Sequence, residues 1–143
     1  NIRVQPDVLL EDLATADTAL LVLPGGMPGT TSLGSCRQLT ELLQQWNSQG
    51  KRLGAICAAP SVLGALGILE GKKAVCYPGF EDKLTGAKVL TERVITDGNV
   101  TTSRGMGTAI PFGLELISLL KGPQEAEKIR NSILYGHKTA DKC

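Results

Sequence analysis

Arg52-Leu-Gly-Ala-Ile-Cys57-Ala-Ala-Pro-Ser-Val-Leu-Gly-Ala-Leu66 decides how the chain is read. Its first half is a short apolar run of strand length. Its second half places Val62, Leu63, Leu66 and Leu69 at spacings that fit one helix face. Pro60 falls in the first turn of that helix, where its missing N–H is not needed. Cys57 therefore sits where strand becomes helix. Its neighbours Ala55, Ala58 and Ala59 are small, as a sharp, crowded strand-to-helix turn requires. Such a turn aims a helix N-terminus at the sulfur, and that dipole favours the thiolate. The competing reading makes Cys57 a small buried hydrophobe closing a core strand.

The flanking pattern fixes the class of fold. Ala19-Leu-Leu-Val-Leu23 is an apolar run without alternation, the mark of a strand covered on both faces as in a parallel sheet. Ser35 offers an N-cap for a helix over 36–48, with Leu39, Leu42, Leu43 and Trp46 on one face and Gly50 closing it. The Cys57 helix is read as closing near Gly71. Short strands follow at 73–76, 89–90, 94–96 and 100–103, with a single helical turn over 80–84 and a turn at Asp97-Gly98-Asn99. A helix over 108–120 is read as presenting Ile110, Leu114, Ile117 and Leu120 inward, and a last helix spans 124–134. At the start, 2–4 reads as a short strand and 8–14 as a short helix. Strands alternating with helices give an α/β layered fold with a mostly parallel sheet, whose ligands bind beyond the carboxyl ends of the strands. Four strands end in distinctive loops there: Pro24-Gly25-Gly26, Cys57-Ala58, Tyr77-Pro78 and Ser103-Arg104-Gly105.

Composition narrows the function. The 143 residues carry a formal net charge of +1 with no basic block, which argues against nucleic-acid binding. No apolar run approaches a membrane span. Four cysteines, Cys36, Cys57, Cys76 and Cys143, are widely spaced, so a reducing cytoplasm is expected rather than a disulfide scaffold. One histidine, His137, and no cysteine cluster leave no basis for a zinc site, and no cofactor is implied. The chain opens at Asn1 without an initiator Met, consistent with a processed or truncated N-terminus.

Each candidate residue has a plain alternative. Gly25 and Gly26 read as a tight connection or, beside Cys57, as backbone donors that form an oxyanion hole with Ala58. Tyr77 is a strand-end tyrosine with a wet hydroxyl or a pocket wall. Cys76 is a core residue or a resolving thiol; Cys36 and Cys143 look peripheral. Arg104 is a surface or interface ion-pair residue or lies at the edge of the site. Arg104-Gly-Met-Gly lacks the third glycine of a dinucleotide fingerprint, since Ile110 stands in its place. No Cys-His-acid triad assembles, because His137 lies in a polar tail far from the elbow.

Leu23-Pro-Gly-Gly-Met-Pro-Gly29, Gly54-Ala-Ile-Cys-Ala-Ala-Pro60, Tyr77-Pro-Gly-Phe-Glu-Asp-Lys83 and Thr102-Ser-Arg-Gly-Met-Gly-Thr108 together resemble the ThiJ/PfpI family of the DJ-one superfamily. The order and spacing agree along nearly the whole chain. The resemblance implies a flavodoxin-like three-layer sandwich, one domain over 1–143 lacking its N-terminal portion, and a homodimer. It implies a reactive Cys57 on a nucleophile elbow, with Gly25, Gly26, Ala58 and Tyr77 around it. The implied activity is glutathione-independent action on small reactive aldehydes or glycated groups (glyoxalase- or deglycase-like). The other implied role is a redox sensor or chaperone working through oxidation of Cys57. The family's glutamate partner of the cysteine would precede Asn1, supplied by a missing segment or a complementary N-terminal fragment. Tyr77 stands where many relatives carry histidine. Ala58 replaces the histidine of the protease-like branch, and glutamine amidotransferases need a downstream His and Glu pair, so neither activity is implied.

Overall fold

The computed structural model describes residues 2–136. Three parallel strands and one antiparallel strand form the main sheet. They are β1 (Leu20–Leu23), β2 (Arg52–Ile56), β5 (Val94–Asp97) and β6 (Val100–Ser103), ordered β1-β2-β6-β5. β1 runs parallel to β2 with Leu23 opposite Ala55, and β2 parallel to β6 with Ile56 opposite Ser103. β5 folds back on β6 through the turn at Gly98, whose φ of +60° a glycine adopts freely. A second, two-stranded parallel sheet, β3 (Lys73–Ala74) and β4 (Lys88–Val89), packs beside β5 and β6, with the Lys73 N–H donating to the Asp97 carboxylate at 2.8 Å.

Helices α1 (Gly29–Ser35), α2 (Arg37–Ser48), α3 (Pro60–Ala65), α4 (Ala109–Lys121) and α5 (Pro123–Ser132) complete the layers. The central strand β2 is covered on both faces. Leu39, Leu43 and Trp46 of α2 and Val62 and Leu63 of α3 join Leu53 and Ala55 in one apolar cluster. Across the sheet, the absent side chain of Gly54 leaves room for Phe112 and Leu116 of α4: a Cβ there would stand 3.1 Å from the Phe112 ring. The flavodoxin-like α/β arrangement read from the sequence is the one observed.

Several local expectations are corrected. The 2–4 segment is not a strand: Ile2 is 93% and Val4 85% exposed, with no neighbouring strand to pair with among the described residues. The 8–14 helix shrinks to a 3₁₀ turn over Leu10–Asp12. β1 is not covered on both faces along its length, since Val22 is exposed while Leu23 is buried. Ser35 does not cap α2; it ends α1, a helix not anticipated, and Cys36 takes the cap position without a side-chain bond.

α3 closes at Ala65, well before Gly71. The Gly67 N–H donates to Gly64 O and the Ile68 N–H to Leu63 O, a Schellman closure permitted by φ of +71° at Gly67. β3 stops at Ala74, because the Val75 N–H leaves the ladder and donates to Thr102 Oγ1 at 3.0 Å. In α4 the buried residues are Phe112 and Leu114, while Ile110 and Leu120 are exposed. His137 and Cys143 lie outside the described residues.

Candidate functional site

β2 ends at Ile56, and the chain turns at once. Cys57 adopts φ of +67°, a left-handed conformation that costs a residue with a Cβ about 1–2 kcal/mol. Such strain persists where surrounding structure holds it in place, and both sides of Cys57 are held. Its N–H donates to Ser103 O at 3.0 Å, extending the β2–β6 ladder by one rung. Its carbonyl accepts the Tyr77 N–H at 2.8 Å. The side chain is half-buried. Ala59 and Pro60 then lead into α3, a short helix whose start lies three residues beyond the sulfur.

Gly25 is pressed against the back of this turn. A Cβ on Gly25 would lie 2.5 Å from Cys57 Cβ, 2.7 Å from Ile56 O and 3.1 Å from Ala58 N, so no side chain fits. Gly26 has φ of +96°, and its carbonyl accepts both the N–H and the hydroxyl of Thr30, at 2.8 and 3.0 Å. Those two bonds tie the glycine loop to the start of α1. The buried Ala58 N–H and the Gly26 N–H donate to no acceptor among the described residues. A buried backbone donor left unpaired beside a thiol is a place for an incoming oxygen.

Tyr77 leaves its backbone on Cys57 and its ring half-exposed, lying across Gly105, where a Cβ would meet Cδ2 at 3.2 Å. Beneath it, Ser103 and Thr108 form a compact hydroxyl network. Ser103 Oγ donates to Arg93 O at 2.9 Å and meets Thr108 Oγ1 at 2.7 Å, and the Gly105 N–H donates to Thr108 Oγ1 at 3.0 Å. These bonds shape the loop that carries Arg104. Among the described residues the Arg104 side chain donates only to the Thr91 carbonyl, at 3.4 Å.

Cys76 is 3% exposed and packs within the main apolar cluster. Burial pushes its thiol up to about 11, Glu81 and Cys57 push it the same way, and the Arg104 guanidinium and a Phe80 backbone hydrogen bond pull it back. At neutral pH it is a protonated core thiol.

The structure thus gathers Gly25, Ala58, Tyr77 and Cys57 at one point and sets Arg104 beside them, across a loop. Cys36 caps the start of α2 and packs against the apolar core. Sequence reading placed Ser103 and Thr108 in motifs near the site but gave them no role, and it missed Arg93. The run Val100-Thr-Thr-Ser103, three hydroxyls together in a strand, was the available signal, and the structure buries all of it. Among the described residues no three His, Cys, Asp or Glu side chains converge as a metal site, and no helix is long and apolar enough to cross a membrane.

A strained cysteine between a parallel strand and a helix, at the carboxyl edge of the sheet, has the backbone geometry of a strand-to-helix elbow in an α/β protein. The chain belongs to the DJ-1/PfpI family, whose model matches residues 1–119. It is 42% identical over 137 residues to the protein DJ-1 homolog A of Arabidopsis thaliana, covering 94% of this chain but only 35% of that protein. It is 37% identical over 129 residues to the glutathione-independent glyoxalase DJR-1.2 of Caenorhabditis elegans, covering 89% of this chain and 68% of that one. The crystal structure of Drosophila melanogaster DJ-1beta superposes with a TM-score of 0.89 at 33% identity, over 95% of this chain and 74% of that one.

Proposed function

We propose that the protein acts on small reactive 2-oxoaldehydes without glutathione, through the Cys57 thiolate. The observation that carries this reading is the left-handed Cys57 with the unpaired Ala58 N–H immediately after it. The similarity to a nematode glutathione-independent glyoxalase supports it. In this reading the thiolate adds to the aldehyde carbon of methylglyoxal, and the oxygen takes the negative charge. The N–H groups of Ala58 and Gly26 stabilise that charge as it develops. The oxygen is then protonated, giving a hemithioacetal. A carboxylate moves the proton from the former aldehyde carbon to the neighbouring carbon while the hydroxyl proton passes to the ketone oxygen, leaving a thioester of the 2-hydroxy acid. Water cleaves the thioester, releasing the hydroxy acid and restoring the thiol. The carboxylate is assigned to polypeptide beyond this chain, before Asn1 or on a complementary fragment, and the acting unit to a homodimer.

The test is methylglyoxal turnover by the full-length protein and by Cys57→Ser. Turnover by the parent and loss in the variant is the expected result; equal rates would overturn the reading.

The same unpaired Ala58 N–H favours a second reading, since it is equally suited to an oxygen of an oxidised Cys57. There the protein senses peroxide, and oxidation of Cys57 alters partner binding. Preferential gain of two oxygens at Cys57 after mild peroxide, with no aldehyde turnover, selects this alternative.

A further inference from the structure

Arg93 and Arg104 stand side by side at the ends of two strands. The antiparallel register that sets Val94 opposite Ser103 continues as an Arg104 N–H to Arg93 O contact at 3.4 Å. Both line one cleft of about 380 Å³, together with Tyr77, Gly105 and Thr108. The carboxylates around them stay charged but make their closest contacts to other groups. Glu115 accepts the Thr96 hydroxyl at 2.8 Å, Glu127 pairs with Arg130 at 3.2 Å, Glu92 accepts the Thr91 N–H at 3.0 Å and Glu81 the Gly79 N–H at 2.6 Å. Among the described residues neither guanidinium has an ion-pair partner. Two guanidinium groups on neighbouring residues, neither in an ion pair, present planar donor forks of the kind that hold carboxylates and phosphates. The positive end of α4, a 13-residue helix starting at Ala109 beside the cleft, adds to the same field.

The cleft adjoins the elbow. Ser103, the residue before Arg104, accepts the Cys57 N–H, and Tyr77 on the cleft wall donates to the Cys57 carbonyl. The Arg104 charge also acts on the Cys76 thiol, as Cys57 does, which places all three within one electrostatic neighbourhood.

We propose that Arg93 and Arg104 form an oxyanion-binding subsite beside Cys57, so that carbonyl substrates bearing a carboxylate or phosphate are held by the guanidinium pair while the aldehyde meets the sulfur. The proposal rests on the reading of Cys57 as a nucleophile, but not on any one catalysed reaction.

Alkylation of Cys57 in the full-length protein separates the two. Iodoacetate and iodoacetamide differ chiefly in charge, and both lose iodide to the thiolate. The rate ratio of iodoacetate to iodoacetamide at Cys57, read by mass spectrometry, is expected to fall about tenfold in Arg93→Gln/Arg104→Gln, as loss of two nearby positive charges dictates. Arg93→Lys/Arg104→Lys keeps the charge and is expected to retain most of the ratio, which guards against a folding artefact. Inorganic phosphate or propionate, each added as a competitor, should slow iodoacetate more than iodoacetamide; the stronger of the two identifies which oxyanion the pair prefers. An unchanged ratio in the Gln variant overturns the subsite. Absent methylglyoxal turnover with a charge-dependent ratio overturns the glyoxalase reading and leaves the subsite standing. With turnover present, the Gln variant should raise KM for 4,5-dioxopentanoate, an anionic 2-oxoaldehyde, while leaving KM for methylglyoxal nearly unchanged.

Discussion

The Tyr77 N–H donates to the Cys57 carbonyl at 2.8 Å, so the loop after β3 is tied to the turn after β2 through the strained residue itself. With the Cys57 N–H bound to Ser103 O at 3.0 Å, three strand ends meet at one cysteine. That arrangement sets the conformation before any substrate arrives. The left-handed φ of +67° belongs to the scaffold and not to the sulfur.

If so, the cost falls on any side chain at this position. Cys57→Gly is expected to be more stable than Cys57→Ala by about 1 kcal/mol, because glycine occupies positive φ without the Cβ clash. At an ordinary helix or strand position the order is reversed. Paired urea denaturation of the two variants checks this, and a less stable glycine variant would show that Cys57 carries no strain.

Gly25 tests the other side of the elbow. A methyl there would sit 2.5 Å from Cys57 Cβ and 2.7 Å from Ile56 O, and both are held by the sheet. Gly25→Ala is therefore expected to cost about 1–3 kcal/mol, the usual penalty for overpacking. It should also change the iodoacetamide rate at Cys57, because relief requires the turn to move. Gly26→Ala differs: no atom stands near its Cβ, and the strain of φ +96° alone should lower stability. Comparing thiol rates in the two variants separates displacement from simple destabilisation.

What the sequence disclosed, and what it hid, follows from the range of the interactions. β1, β2 and the elbow were legible because apolar runs and small residues around Cys57 are local signals, and β6 because the Asp97-Gly98-Asn99 turn marks where it starts. α2 was legible because Leu39, Leu43 and Trp46 repeat on one face. α1 was not, since Gly29-Thr-Thr-Ser-Leu-Gly-Ser35 contains few strong helix formers. Its first turn is fixed instead by Thr30 on the Gly26 carbonyl. Of the inward face read for α4, Leu114 is buried, but Phe112 and Leu116 were not anticipated, because it is Gly54 of the facing strand that admits them. Arg93 was missed for a similar reason: only the β5–β6 register brings it beside Arg104.

Cys76 gives a pH dependence with a definite sign. Its thiol is raised from 9.0 to about 11 in the folded protein, chiefly by burial. A group raised on folding contributes stability that is intact below its unfolded value and is lost as pH climbs through the folded one. Stability should therefore be insensitive to this group below pH 9 and fall by about 2–3 kcal/mol from it by pH 11. Other groups titrate in that range, so the informative quantity is the difference between the parent and Cys76→Ala. The variant starts lower, because a small cavity replaces the sulfur, and the gap should narrow from pH 9 to pH 11. A gap that stays constant would mean the thiol is not desolvated.

Thr108 carries the last prediction. Its hydroxyl meets Ser103 Oγ at 2.7 Å, receives the Gly105 N–H at 3.0 Å and donates to Gly105 O at 2.9 Å. Thr108→Val keeps the shape and removes all three contacts. Gly105 is buried, so its N–H is left unpaired, and a loss of about 1–3 kcal/mol is expected. Thr108→Ser keeps the hydroxyl and should lose less. Because this loop sets Tyr77 against Gly105 and carries Arg104, the valine variant should also weaken the discrimination between iodoacetate and iodoacetamide at Cys57. The serine variant should preserve it. If valine lowers stability but leaves that discrimination intact, the hydroxyl network braces the fold without positioning the arginine.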